Sequence, residues 1–92
     1  MQDMLTTYNT NKHLAEIELR LNDKLDKQIY KIERWADYGK GNPLHLMAGL
    51  VKACTKMDDL GFDHVAFEEI RGYTELEAAC NEERRRRRQL RR

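Results

Sequence analysis

Residues 43–60, PLHLMAGLVKACTKMDDL, are the least polar stretch of the chain and decide its fold. On a helix that turns about 100° per residue, their apolar side chains cover roughly 200° of the circumference. These side chains are Leu44, Leu46, Met47, Leu50, Val51, Ala53, Cys54, Met57 and Leu60. A surface helix needs an apolar stripe of only about half that width. The stretch therefore predicts a central helix that packs against at least two neighbours.

Both ends of this central helix carry local signals. Asn42 and Pro43 supply an N-cap and a proline at the first helical position, where the missing N–H costs nothing. Gly61 suits the left-handed conformation that often follows a helix. Together these residues predict a helix over 43–60.

A long helix is predicted before the central one. From residue 12 to residue 38, apolar side chains recur every three or four positions and keep one stripe for about seven turns, with Asn11 as the N-cap. Because GKGN at 39–42 breaks the helix, the first two helices are predicted to form an antiparallel hairpin. Residues 1–11 are polar and without a clear period, which predicts an arm.

Two shorter elements are predicted after the central helix. Residues 63–71 predict a short helix, capped by Asp63, that closes the bottom of the core. Thr74 and Glu77 match a capping box and predict a last helix from 74 to about 88. The sequence HVAFEEIRGYTELEAA in this region is an imperfect match to a helix-turn-helix, since acidic residues begin the would-be reading helix.

The predicted fold class is all-α: a small helical bundle built on the long N-terminal helix and the central apolar helix, with a projecting arginine-rich C-terminal helix. The division is a polar arm at 1–11, a helical domain at 12–83 and an arginine-rich extension at 84–92. A chain of 92 residues has a small core. A homo-oligomer is therefore favoured over a monomer, and a dimer is predicted because dimers are the commonest oligomers.

The amino-acid composition indicates where in the cell the protein is located more than what it does. Lys and Arg number 17 against 16 Asp and Glu, and a net charge of +1 by itself predicts no partner. No signal peptide and no membrane-spanning stretch is expected, which predicts an intracellular, cytoplasmic protein. Cys54 and Cys80 have no CxxC spacing and are expected as free thiols in the core, with a disulfide between them left open.

The arginine run near the C-terminus is the one feature that points to a function. It comprises Arg84, Arg85, Arg86, Arg87, Arg88, Arg91 and Arg92. Guanidinium groups stay charged near neutrality and bind phosphate or carboxylate through two parallel hydrogen bonds. Five consecutive arginines also point in every direction around a helix, so no rotation of the helix can bury them.

Three further residues are predicted as accessory contacts of the arginine run. Lys52 and Lys56 lie on the polar stripe of the central helix, and Tyr38 lies off the apolar stripe of the first helix, where its ring can stack on a base. Trp35, which falls on that apolar stripe, is assigned to the core.

Enzymatic and metal chemistry are not expected. The three histidines and two cysteines lack metal-ligand spacing, so neither a metal nor another cofactor is predicted. The chain has no serine, and no histidine is spaced to activate a cysteine.

Two functions follow from the arginine run. The first is a non-enzymatic protein that binds the backbone of RNA or DNA without strong sequence preference. The second is a structural, assembly or adaptor-inhibitor protein, for example a virion component, whose arginines clamp an acidic protein surface. A third interpretation gives the run no partner: its cations suit the negative end of the helix dipole and keep an oligomer in solution.

Overall fold

A computed structural model describes residues 2–90 of the chain. Within that range the chain forms three α-helices, one 3₁₀ turn and no strand. The elements are α1 at Gln2–Tyr38, α2 at Pro43–Asp59, the 3₁₀ turn at Phe67–Glu69 and α3 at Tyr73–Leu90. The all-α class predicted from the sequence is confirmed.

Helices α1 and α2 form the predicted antiparallel hairpin. Trp35 and Leu46 both lie beside Gly41 in the connection between them, and seven residues earlier in α1 Gln28 lies beside Gly49 of α2. The Gln28 side-chain amide donates a hydrogen bond to the Leu46 carbonyl at 3.2 Å. Earlier residues of α1 therefore face later residues of α2.

The predicted start of α2 is confirmed in detail. The Asn42 side-chain oxygen accepts a hydrogen bond from the backbone N–H of Leu44 at 3.0 Å. Pro43 is the first helical residue, and the last turn ends at Asp59 with Leu60 as the C-cap.

Helix α3 lies across the hairpin and then leaves it. It starts where Gly72 packs against Ile32 and Ala36 of α1. Further along, the Cys80 thiol donates to the Pro43 carbonyl at the start of α2, with 3.3 Å between sulfur and oxygen. Between Cys80 and Leu90 no side chain of α3 is buried, so this half of the helix extends beyond the core.

The core lies between these three helices and the segment that joins α2 to α3. Its buried side chains are Leu21, Leu25, Ile32, Leu46, Leu50, Cys54, Met57, Ile70, Leu76 and Cys80. Cys54 and Cys80 are both free thiols here, and burial raises the pKa of each. Trp35 is half-buried and packs against this core, as predicted.

Helix α1 begins ten residues earlier than predicted. It starts at Gln2, so Asn11 lies inside the helix and is not its N-cap. Extending an existing helix adds one hydrogen bond for each residue that is fixed, without a new nucleation cost. The polar residues 2–11 therefore continue α1 rather than forming a separate arm, and Met1 lies outside the described residues.

The short helix predicted over 63–71 is wrong. Residues 62–66 are without regular structure, Asp63 caps nothing, and only Phe67–Glu69 form a 3₁₀ turn. A helix this short is unstable alone and turns one face inward. The observed course instead brings four apolar side chains to the core: Phe62, Val65, Phe67 and Ile70. A helix-turn-helix is excluded for this region because its first helix does not form.

The predicted capping box of α3 also does not form. The helix starts at Tyr73, and the Leu76 N–H donates to the Gly72 carbonyl at 2.9 Å. Thr74 is therefore already helical, whereas an N-cap residue has extended backbone angles. Glu77 instead accepts a hydrogen bond from the Tyr73 hydroxyl at 3.1 Å.

The two neighbours that α2 requires come from its own chain. Helix α1 covers one side, and α3 with the 62–70 segment covers the other, leaving Val51 and Leu60 as its exposed large apolar side chains. Apolar side chains without a partner also lie on α1 between residues 10 and 20. There Leu14 is exposed and Ile17 is half-buried on one side of the helix, and Leu19 is exposed on roughly the opposite side.

Gly72 is required by both its backbone angle and its contact with α1. Its φ is +93°, and a Cβ at this position would lie 2.8 Å from the Ala36 Cβ. We expect Gly72→Ala to lower the free energy of unfolding by about 1–2 kcal/mol from left-handed strain and by about 1–3 kcal/mol more from overpacking. Urea unfolding followed by circular dichroism measures the change.

Gly61→Ala is the matched control for this substitution. Gly61 also has a positive φ, +76°, but no atom lies within 4 Å of the position its Cβ would take. The free energy of unfolding of Gly61→Ala should therefore fall only by the cost of left-handed strain. Equal losses in the two variants would show that the contact between Gly72 and α1 is unimportant.

His64 closes the connection after α2 and makes the stability of the fold depend on pH. Its Nδ1 lies 2.9 Å from the Val65 carbonyl oxygen and its Nε2 lies 2.8 Å from Oδ1 of Asp58. Only the protonated ring can donate to both. The Val65 carbonyl, and secondly Asp58, therefore raise the pKa of His64 above its ordinary value of 6.5.

A raised pKa in the folded state stabilises the fold at low pH. We expect the full contribution of His64 below about pH 6.5 and its loss as the pH rises through the folded-state pKa. The free energy of unfolding of wild type minus that of His64→Gln should therefore be larger at pH 6 than at pH 8.5. Since the two proteins differ only at residue 64, a difference that is independent of pH would contradict this.

Candidate nucleic-acid interface

The arginine run lies on the half of α3 that extends beyond the core. Arg84 to Arg88 are all helical and exposed, and the side chains of Arg85, Arg86 and Arg87 keep 59–70% of their surface in solvent. Successive residues on a helix differ by about 100°, so these five surround its axis. Arg91 and Arg92 lie outside the described residues.

Three of these arginines contact glutamates of their own helix. Glu83 accepts from Arg86 at 2.7 Å and from Arg87 at 3.4 Å, and Arg85 lies 3.6 Å from Glu82. The hydrogen bond from Arg86 holds the pKa of Glu83 below its ordinary value. Exposed pairs of this kind contribute only about 0–1 kcal/mol. They leave the guanidiniums available to a stronger anion.

Arg84 and Arg88 form no ion pair with any residue in the described part of the chain. The two lie four residues apart on the helix surface, where like charges repel by a few tenths of a kcal/mol. Across residues 82–92 the sequence has seven arginines and only two glutamates. The extending half of α3 is therefore a concentrated cation that its own carboxylates neutralise only in part.

The predicted accessory residues Lys52 and Lys56 lie together in a groove between α1 and α2. Three lysines of α1, namely Lys24, Lys27 and Lys31, line the same groove. The remaining lining residues are Leu21, Gln28, Gly49 and Ala53, so no carboxylate lines it. We call this the lysine groove. The sequence pattern identified its α2 wall but missed the three lysines of α1.

Tyr38 is exposed, as predicted, but its ring already has a cation beside it. The Arg34 guanidinium carbon lies 5.3 Å from the centre of the Tyr38 ring and 5.7 Å from that of Tyr30, and Arg34 donates to the Tyr30 hydroxyl at 3.0 Å. Asp37 and Glu33 lie on the same side. This surface has mixed charge, and the role of Tyr38 as an accessory contact stays a prediction.

Arg71 is a cation that the sequence pattern did not single out, and it has a structural role. Its guanidinium donates to Asp37 at 2.7 and 3.2 Å and to Glu33 at 3.2 Å. These contacts lower the pKa of Asp37 and raise that of Arg71. Arg71 thereby joins the segment before α3 to α1.

The described residues show neither a metal site nor a membrane-spanning helix. Among the side chains that the structure describes, those of residues 10–90, there is no group of three or more His, Cys, Asp or Glu placed to hold a metal ion. No helix in the described range combines the length and the apolar character that crossing a membrane requires.

Comparisons with known proteins give no match: no family model fits this chain, and no curated protein or solved structure is significantly similar to it.

Proposed function

We propose that this protein binds the backbone of RNA or DNA through the arginine run of α3, without strong sequence preference and without catalysing a reaction. The observation that supports this most is the helix at Arg84–Arg88, which carries five consecutive exposed guanidiniums beyond the core. Each guanidinium offers a planar pair of donors that fits a phosphate.

The form of this surface favours backbone contacts over base reading. A helix with the same side chain at five successive positions offers identical chemistry in every direction around its axis. Sequence readout instead depends on different side chains that meet particular base edges. The arginine helix can thus meet phosphates from any strand that approaches it.

Binding also relieves repulsion within the free protein. The pair Arg84 and Arg88 is a like-charge contact of the helix, as noted above. A polyanion neutralises both charges and removes their repulsion. We therefore expect the end of α3 to be more stable in the complex than in the free protein.

We further propose a homodimer and a cytoplasmic location. A second copy would cover the apolar stripe of α1 at the exposed Leu14 and the half-buried Ile17 and would double the number of arginine helices. The two buried, unpaired thiols suit a reducing compartment.

The second candidate function is an assembly or adaptor protein that binds an acidic protein surface. The specific observation in its favour is that Arg86 and Arg87 already share the carboxylate of Glu83. Removing 84–92 would then abolish co-purification of a protein partner and leave nucleic-acid retention unchanged. The ratio of absorbance at 260 and 280 nm, before and after a high-salt wash, separates the two functions.

The salt dependence of binding tests the nucleic-acid proposal. With five to seven phosphates neutralised, the affinity for a fluorescein-labelled 20-nucleotide strand should fall with a log–log salt slope of about −3.5 to −5. Replacing Arg84, Arg86 and Arg88 with Gln should reduce the magnitude of that slope by about 2, because three phosphate contacts are lost. Fluorescence anisotropy between 50 and 300 mM salt measures both slopes.

Two control variants complete this test. Changing Lys12, Arg20 and Lys40 to Gln removes the same charge from exposed positions outside α3 and should leave the slope unchanged. Changing Arg84–Arg88 to Lys keeps the charge but loses the paired hydrogen bonds, so affinity should fall at a similar slope. A slope near zero in wild type, or an equal loss in the first control, would refute the proposal.

Light scattering tests the dimer. We expect wild type to elute with the mass of two chains and the variant Leu14→Glu with the mass of one. Glutamate keeps the helix propensity of α1 while opposing burial of its surface. Val51→Glu, at an exposed apolar position of α2, should remain dimeric. A monomeric wild type at tens of micromolar would contradict the dimer.

A further inference from the structure

The lysine groove is an independent cationic site on the body of the protein. Its five ammonium groups come from two facing helices, three from α1 and two from α2, and no carboxylate lines it. None of these lysines forms an ion pair with a residue in the range 10–90. No carboxylate therefore lies within ion-pair distance of the cations of the groove.

The charges of α1 are segregated between its two flanks. A second groove, on the other side of α1, is lined by Asp26, Glu33 and Glu69 together with His64 and Arg71. At about 100° per residue, Asp26 and Glu33 lie roughly opposite the three lysines of α1. Asp26 and Glu33 are therefore too far around the helix to neutralise those lysines, and Asp23, which precedes Lys27 by four residues, forms no ion pair with it.

This arrangement is unfavourable without a ligand. Along α1, Lys24 and Lys27 are three residues apart and Lys27 and Lys31 are four apart, while Lys52 and Lys56 are four apart on α2. Like charges at these spacings repel. An anion in the groove would remove the repulsion within each row and between the two rows.

The dimensions of the groove favour a compact ligand. Its volume is about 340 Å³, near the lower end for small-molecule sites. At 1.5 Å per residue, the α1 row is about 10 Å long and the α2 row about 6 Å. A lysine ammonium is a compact charge on a flexible stem and can follow oxygens that do not lie in one plane. These features match a short chain of phosphates between two rows of ammonium groups.

We propose that the lysine groove binds a linear chain of about three phosphoanhydride-linked phosphates, as found in a nucleoside triphosphate or a short inorganic polyphosphate. A terminal phosphate carries about −1.5 to −2 charge at neutral pH, and each further phosphate adds about one more, so a triphosphate approaches the charge of five lysines. No aromatic ring lines the groove. A nucleoside base therefore has nothing on which to stack.

The experiment is calorimetric titration of the full chain with sodium triphosphate, without divalent metal. We expect one site for each chain and an affinity for ATP that is within about threefold of that for triphosphate, because the base makes no stacking contact. The double variant Lys27→Gln, Lys52→Gln should bind about tenfold more weakly or worse, because one charge is lost from each row.

Controls separate the groove from the arginine run. Changing Lys12 and Lys40 to Gln removes two lysines outside the groove and should change affinity by less than about twofold. The variant with Gln at positions 84, 86 and 88 should still bind triphosphate. Triphosphate should also raise the melting temperature of wild type more than that of the groove variant, while circular dichroism checks that each variant folds.

Four results would overturn the proposal. The first is no heat of binding with wild type at 1 mM triphosphate, and the second is an equal loss in the Lys12, Lys40 control. The third is an affinity for ATP that exceeds that for triphosphate by tenfold, since the base would then be recognised. The fourth concerns chemical acetylation of the groove lysines. If the oligonucleotide protects these lysines and triphosphate does not, the groove belongs to the nucleic-acid surface.

Discussion

Burial of the apolar arc of α2 is the constraint on which the rest of the structure depends. Leu50 and Met57 are completely buried and Cys54 nearly so, and burying a large aliphatic side chain stabilises a fold by about 1.5–3 kcal/mol. In a chain of 92 residues few other contacts can replace these. Helix α1, helix α3 and the segment between α2 and α3 therefore take the positions that cover this arc.

The same burial fixes where the charges lie. Turning the apolar stripes of α1 and α2 toward a common core leaves each helix with two flanks, one beside α3 and one away from it. The acidic flank of α1 meets the segment before α3, where Arg71 binds Asp37 and Glu33. The lysine flank of α1 is left beside the polar stripe of α2, and the lysine groove follows from that packing.

The elements with strong local signals were the ones that the sequence could predict. Asn42 and Pro43 placed the start of α2 correctly because a cap and a proline act through neighbouring backbone groups. Residues 62–71 carry no such signal, and their course is set by where Phe62, Val65, Phe67 and Ile70 find the core. The early start of α1 at Gln2 reflects propagation of a helix whose nucleus lies elsewhere.

The two cationic surfaces differ in how far sequence alone could identify them. Five consecutive arginines are exposed on any helix, so their exposure needed no tertiary information. The lysine groove required it, because Lys24, Lys27 and Lys31 could have met either flank of α2, and the side on which α3 packs decides between them. The prediction of Lys52 and Lys56 as accessory contacts therefore identified only the α2 side of the groove.

The net charge of +1 conceals both surfaces. At physiological ionic strength a charge acts over about 8 Å, so a ligand responds to the local cluster rather than to the whole molecule. On α3 that cluster is convex and made of arginine, which favours an extended polyanion that can reach several faces of the helix. Between α1 and α2 it is concave and made of lysine, which favours a compact one. Since both proposed ligands are rich in phosphate, shape and side-chain chemistry, more than charge, distinguish the two surfaces.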